Sequence, residues 1–318
     1  MKKGGRPFPI FLAVLIMNSI VEEINQLKKE KNAIIMAHYY VPDEVQAIAD
    51  YIGDSFYLSK IATKIKEDTI VFCGVSFMGE SAKILSPSKT VLLPDSSADC
   101  PMAHMADITT IQRIKSEYED VAVVCYINST AELKSHSDVC VTSSNAISIV
   151  KALPNKNIFF IPDQNLAHYV AAQVPEKHFI FNDGYCPIHK DITVNDVIAA
   201  KHLHPNAEFL VHPECPPDVL AHADMIGSTS EIIDYASKST TTEFIIGTEA
   251  GVLYELKQNN PDKTFYTVTN HQCCTDMKKI TLEKIRDALV SYNGNVKVSD
   301  ELRHAAHLPL NRMLELAK

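Results

Sequence analysis

AIIMAHYYVPDEVQAIADYIGDS, residues 33–55, decides the fold, because its plan returns twice further along the chain. It returns as VAVVCYINSTAELKSHSDVCVTSSN at 121–145 and as AEFLVHPECPPDVLAHADMIGSTS at 207–230. In each copy a short apolar run rich in strand-forming residues ends in a polar or aromatic cluster. His38, Tyr126 and His212 mark those ends, 88 and 86 residues apart, and a hydroxyl follows each of them 17 residues later, at Ser55, Ser143 and Thr229. The rest of each unit recurs as TIVFCGVSFMGES, NIFFIPDQNLAHY and EFIIGTEAGVLY, and then as TVLLPDSSADC, HFIFNDGYC and FYTVTNHQCC. Cys100, Cys186 and Cys274 close the three units in register, 86 and 88 residues apart. Self-similarity at a fixed period signals repeated supersecondary units.

Short apolar runs alternating with helical stretches indicate parallel βα units whose strands are buried on both faces. Ligands in such sheets gather at the carboxyl ends of the strands, where every residue singled out above lies. The expected fold is therefore α/β: three pseudo-threefold-related α/β/α sandwich domains with parallel sheets, their strand ends aimed at a central interface. The boundaries expected are a leading helix at 17–32, repeat 1 at 33–118, repeat 2 at 119–205, and repeat 3 with a helical tail at 206–318. Residues 1–16, MKKGGRPFPIFLAVLI, resemble the first two regions of a signal peptide but lack a small-x-small cleavage site. They read as an upstream extension, with Met17 as the working start and an amphipathic helix after it, since Ile20, Val21, Ile24 and Leu27 fall at helical spacing. The apolar run is too short to span a bilayer, so a cytoplasmic protein without membrane contact is expected.

The chain of 318 residues is 46% apolar and 22% charged, which excludes intrinsic disorder and collagen-like or low-complexity architectures. Thirty basic residues face thirty-nine acidic ones, a net charge of −9, and no Lys/Arg block is long enough to track phosphates. Nucleic acid is thereby disfavoured as a partner, while a small anionic substrate needs only a local positive potential. Of the eight cysteines, Cys73 and Cys125 sit inside apolar strands and read as small buried hydrophobes.

The three cysteines in register could hold zinc, an iron–sulfur cluster, or nothing. Structural zinc usually takes four ligands in local C-x-x-C pairs, whereas three distant thiolates around a [4Fe–4S] cluster would leave one iron open as a Lewis acid. Around them, Tyr40, Asn128 and Glu214 follow the three strand-end residues at one common offset. His38, Tyr126, His212 and Glu214 are acid/base groups suited to moving protons on a polar substrate. Ser55, Ser143, Ser228 and Thr229 precede helical stretches, as N-caps do, and free backbone N–H groups at helix starts bind carboxylate or phosphate oxygens. Rival readings are a threefold-repeat protein that binds a small dicarboxylate, and a zinc enzyme using the same cysteines.

Over about Ser19 to Leu316 the sequence resembles the quinolinate synthase family, on the motifs AHYYVPDEVQAIADYIGDS, DSSADCPMAHM, YINSTAELK, CVTSSNA, PDQNLAHYV, GYCPIH, VHPECPPDV, IGSTSEI, IGTEAGV and CTDMKKITL. The resemblance implies a [4Fe–4S] cluster on Cys100, Cys186 and Cys274. It also implies condensation of iminoaspartate with dihydroxyacetone phosphate to quinolinate, releasing phosphate and two waters, in NAD biosynthesis. Substrate-contacting positions carried over from it are His38, Ser55, Tyr126, Asn128, Ser143, His212, Glu214 and Thr229, with Glu214, His38 and Tyr126 as the catalytic set and Tyr40 and His189 as further candidates. An aspartate oxidase or dehydrogenase that makes the imine is an implied transient partner. The sequence departs from the family pattern at HQCCTDMKK, where Cys273 stands beside Cys274; Cys274 keeps the C-x-x-M-K spacing, and a ligand swap to its neighbour is the alternative.

Overall fold

The structure, a computed structural model, describes residues 10–317. Among the described residues twelve strands form three four-stranded sheets. β1 (Ala33–His38), β2 (Tyr51–Gly53), β3 (Thr69–Cys73) and β4 (Thr90–Leu92) make the first, in the order β2-β1-β3-β4. The second, β6-β5-β7-β8, contains β5 (Val121–Tyr126), β6 (Val139–Val141), β7 (Asn157–Ile161) and β8 (His178–Phe181). The third, β10-β9-β11-β12, contains β9 (Glu208–Val211), β10 (Met225–Ile226), β11 (Glu243–Gly247) and β12 (Thr264–Thr267). All pairings between these strands are parallel. With helices between successive strands, the chain is an α/β protein of three α/β/α units, as the repeat implies.

The second strand of each unit is only two or three residues long and is fixed by a contact that the sequence repeats. Asp50, Asp138 and Asp224 each accept a 2.7 Å hydrogen bond from the first strand, from the amides of Ile35, Val123 and Phe209. A carboxylate acceptor gives such a bond about 1.5–3 kcal/mol, enough to hold an edge strand with little pairing of its own. A lysine before each fourth strand reaches back in a similar way to the stretch that enters the third strand. Lys89 donates to the Lys66 carbonyl, Lys177 to those of Leu153 and Asn155, and Lys263 to those of Ala236 and Ser239. In the second and third repeats these carbonyls lie at a helix carboxyl end, where a cation satisfies orphan carbonyls and complements the helix dipole.

β1 and β3 are buried at every residue, as parallel strands covered on both faces must be. In the third sheet, Phe209, Val211 and Ile245 enter one apolar cluster and Leu210, Phe244 and Ile246 the other, the period of two expected of strands. The tail follows the third repeat in the chain but packs elsewhere. Helix Asp300–Leu316 lies on β6, on helix Ala131–Ser135 of the second repeat and on helix Ser76–Leu85 of the first, burying Ala306, Leu310 and Met313. Helix Leu282–Ser291 packs on the leading helix, Ile10–Glu30. That leading helix starts ahead of Met17, where the apolar spacing had placed its onset; most of the expected extension, residues 1–9, lies outside the described residues. Among the described residues no helix is long and apolar enough to cross a membrane.

Candidate active site

The carboxyl ends of the three sheets line one cavity of about 70 Å³. The first repeat contributes His38, Tyr40, Ser55 and Cys100; the second contributes Tyr126, Asn128, Ser143, Cys186 and His189; the third contributes His212, Glu214, Thr229 and Cys274. Every residue singled out from the shared register, and both further candidates, thus face the same space.

His38 ends β1 and His212 follows β9, and the two are held alike. Nδ1 of His38 accepts from the Tyr40 amide at 3.2 Å, and Nδ1 of His212 accepts from the Glu214 amide at 3.3 Å. A backbone N–H can only donate, so both rings carry their proton on Nε2. Nε2 of His212 lies 3.2 Å from Ser143 Oγ. Burial drives both imidazoles down to a pKa of about 3, against the smaller upward pull of Glu214. They are neutral donors at physiological pH, not imidazolium acids.

Glu214 sits at the centre of a buried network that crosses all three repeats. The Tyr126 hydroxyl donates to its Oε1, and His189 Nδ1 lies 2.7 Å from its Oε2, close but without hydrogen-bond alignment. His189 Nε2 is 2.8 Å from Thr248 Oγ1, which is 2.9 Å from the Tyr40 hydroxyl, itself 2.7 Å from Thr229 Oγ1. Burial opposes ionisation of Glu214, but His189, His212 and the Tyr126 bond outweigh it and hold the carboxyl below its ordinary range. Burial and the Glu214 charge push the Tyr40 and Tyr126 phenols well above theirs. The arrangement is a low-pKa carboxylate facing protonated phenols and neutral imidazoles, a set that can accept a proton at one defined place.

Of the four hydroxyl residues expected at N-caps, Ser228 holds that place and Ser55, Ser143 and Thr229 do not. Asp54 is the N-cap of helix Ser55–Ala62, which makes Ser55 the first helical residue. Ser228 is the cap of helix Thr229–Lys238, with Glu231 completing a capping box, so Thr229 likewise has its hydroxyl free of capping. Ser143 caps nothing: Asn145 holds the cap position of helix Ala146–Ala152. Short polar side chains cap better than a residue inside the first turn, so the residue just before Ser55 and Thr229 takes that role. Among the described residues the cavity lining contains no Lys or Arg.

No cysteine is in a disulfide. Burial pushes the thiols of Cys100, Cys186 and Cys274 up, and Cys100 raises each of the other two or is raised by it through proximity of charge. Such thiols ionise when a metal centre supplies positive charge. Cys273 is exposed and off the cavity wall, which leaves Cys274 as the inward thiol of the pair. Three convergent, unpaired thiols with no fourth cysteine on the wall fit a cluster with one open iron. Ligand atoms of Cys186, His189 and Glu214 also lie within 4.8 Å of one another, a spacing one metal ion could span.

Four residues escaped the sequence reading. Thr248 bridges Tyr40 and His189. Asp99, Asp163 and Glu249 hold the backbone at the three cysteines. Burial and the Glu214 charge push Asp163 well above the usual carboxylate range, and burial raises Glu249 against Lys278. Asp163 and Glu249 occupy the same place two residues past the third strand of their repeats, a correspondence that extending the repeat alignment would have exposed.

The family profile described as "Quinolinate synthetase A protein" matches residues 22–315. A quinolinate synthase of Clostridioides difficile is 53% identical over 296 residues, 93% of this chain and 96% of that one. Another from Caldicellulosiruptor bescii is 53% identical over 294 residues, 92% and 97% of the two chains, and the quinolinate synthase 2 of Methanosarcina acetivorans is 47% identical over 298 residues, 94% and 96%. Among solved structures, an aspartate transcarbamoylase from Trypanosoma cruzi aligns with a TM-score of 0.17 at 7% identity over 92% of this chain and 91% of that one. Sequence and architecture together make this chain a member of the quinolinate synthase family of enzymes.

Proposed function

We propose that the chain condenses iminoaspartate with dihydroxyacetone phosphate to give quinolinate, inorganic phosphate and two waters, with a [4Fe–4S] cluster held by Cys100, Cys186 and Cys274. The observation that carries this is the convergence of those thiols with Glu214 and two neutral imidazoles on one cavity. When bound, such a cluster supplies a Lewis-acidic iron that polarises a substrate oxygen.

The rest is done by the chain. Two carboxylates and a phosphate need many donors, and Ser55, Ser143, Asn128, Thr229 and the Nε2–H groups of His38 and His212 provide them without a basic cluster. The helix starts at Ser55 and Thr229 add free backbone N–H groups of the right sign. Glu214 takes the protons released in enolisation and dehydration, because its carboxylate faces the space at the centre of the network and its neighbours keep it ionised. Tyr126 orients that carboxylate and returns a proton from the oxygen it already touches. Tyr40 and His189 stabilise the far side of the network.

The test is anaerobic: purified chain with about four irons and four sulfides per monomer that forms quinolinate from the two substrates supports the assignment. A colourless, iron-free chain that is fully active would overturn the cluster. The spacing of Cys186, His189 and Glu214 supports a second reading, a single zinc ion, which the same metal analysis would reveal as one zinc and no sulfide.

A further inference from the structure

Each of the three cysteines on the cavity wall donates its backbone N–H to a carboxylate. The Cys100 amide reaches Asp99 Oδ1 at 2.8 Å, the Cys186 amide reaches Asp163 Oδ2 at 3.1 Å, and the Cys274 amide reaches Glu249 Oε1 at 3.0 Å. In each case the other carboxylate oxygen is fastened elsewhere. Asp163 Oδ1 accepts from the Leu166 amide at 2.8 Å, Glu249 Oε2 accepts from the Gly251 amide at 2.6 Å, and Asp99 Oδ2 is 2.7 Å from His104 Nε2.

These contacts do not all descend from the repeat. Asp163 and Glu249 are the N-cap residues after β7 and β11, whereas the matching residue after β3 is Val75, which has no acceptor. The first repeat makes the contact differently: Asp99 supplies the carboxylate from beside the cysteine, and Ser76, next to Val75, donates its hydroxyl to the same Oδ1. One contact reached by two sequence routes is not a by-product of duplication.

We propose that Asp99, Asp163 and Glu249 are positioning residues that clamp the backbone of the three cluster ligands, so that their thiols converge before metal arrives and release it slowly afterwards. This rests on the cluster assignment above. The cysteines lie in loops beyond the strand ends, without ladder partners to fix them, and an acceptor on the amide restrains the rotation that swings each Cα–Cβ bond toward or away from the cavity. Outer-shell groups of this type typically change metal affinity by about 10–100-fold when lost.

Two substitutions separate the clamp from mere helix capping. Asp163→Ser keeps a good cap for the Leu166 amide but is too short to reach Cys186. Asp99→Ala removes the first clamp, and Asp99→Asn restores it, since an amide oxygen can accept from both Cys100 and Ser76 while its NH2 faces His104. The anaerobically loaded chains are challenged with an iron chelator and iron release is timed, alongside melting of the metal-free chains. We expect release about tenfold faster from Asp163→Ser and Asp99→Ala, wild-type release from Asp99→Asn, and melting of the metal-free Asp163→Ser chain close to wild type. Equal release rates in all four chains, or an Asp99→Asn chain as leaky as Asp99→Ala, would overturn the clamp alone. A wild-type chain that takes up no iron and sulfide would overturn the cluster and the clamp together.

Discussion

The first and third repeats end their leading strand in the same imidazole, whereas the second ends it in a phenol. His38 and His212 each accept from the amide two residues on, which fixes their tautomer and leaves an Nε2–H turned to the cavity. Tyr126 stands at the same point of the fold but extends its hydroxyl across the repeat boundary to Glu214. A duplicated backbone therefore supplies three equivalent positions, and unlike side chains divide the work among them. The cysteines show the reverse case: identical residues in all three repeats, lining one shared cavity.

That contrast is broken most directly at the cysteines. Cys186→Ala should abolish iron and sulfide uptake, because no other thiol reaches the cavity from the second repeat, while Cys140→Ala, buried in β6 away from the wall, should leave both at wild-type levels. Iron and sulfide assays on anaerobic preparations decide it, and the opposite pattern would remove the assignment.

Glu214 has no counterpart with its charge: Tyr40 and Asn128 hold the matching offset in the other repeats. Glu214→Gln should lower quinolinate formation by about 10²–10⁴-fold, the usual worth of a general base, with the iron content unchanged. Full turnover in that variant would eliminate the residue as the base. Tyr126→Phe should act less severely and through pH. The Tyr126 bond helps hold the Glu214 carboxyl low, so its loss moves the acid limb of the pH–rate profile upward, toward neutrality. His38→Asn, which keeps an acceptor for the Tyr40 amide, should leave that limb in place. Measured kcat/KM profiles of the two variants would have to coincide for the division of roles between phenol and imidazole to fail.

Much of this was legible in the sequence, for a physical reason. Strand ends, cavity cysteines and the hydroxyls 17 residues past the strand ends recur because the backbone that presents them recurs, so register alone gathers His38, Tyr126, His212, Ser55, Ser143, Thr229 and the cysteines. The short strands β2, β6 and β10 were not legible: they exist because Asp50, Asp138 and Asp224 tie them to their neighbours across the sheet. Contacts between repeats were hidden as well. The bond from Tyr126 to Glu214 joins residues 88 positions apart, and Thr248 gains its meaning only between Tyr40 and His189. Asp99 could not have been found by register at all, since the first repeat places Val75 where the others carry an acid.

The smallest expected effect concerns stability and treats the two imidazoles as a pair. An unfolded histidine binds a proton below a pH of about 6.5, but in the folded chain His38 and His212 stay neutral down to about 3, because burial penalises the cation. The unfolded state then holds more protons, so stability is full about one pH unit above 6.5 and declines as pH falls through 6.5 toward 3. The slope is about 1.4 kcal/mol per pH unit for each histidine. Glu214, depressed from an ordinary carboxylate value, loses its contribution only at lower pH, below about 4.5. Between pH 6.5 and 5 the histidines therefore account for the larger part of the slope expected from this network. Denaturant unfolding of the metal-free chain at pH 8, 6.5 and 5.5 should show a small loss over the first step, about 0.4 kcal/mol per histidine, and a larger one over the second, about 1 kcal/mol per histidine. In His212→Asn that loss should be roughly halved, and an unaltered slope would mean that the third repeat's imidazole is not held neutral in the way its partner amide requires.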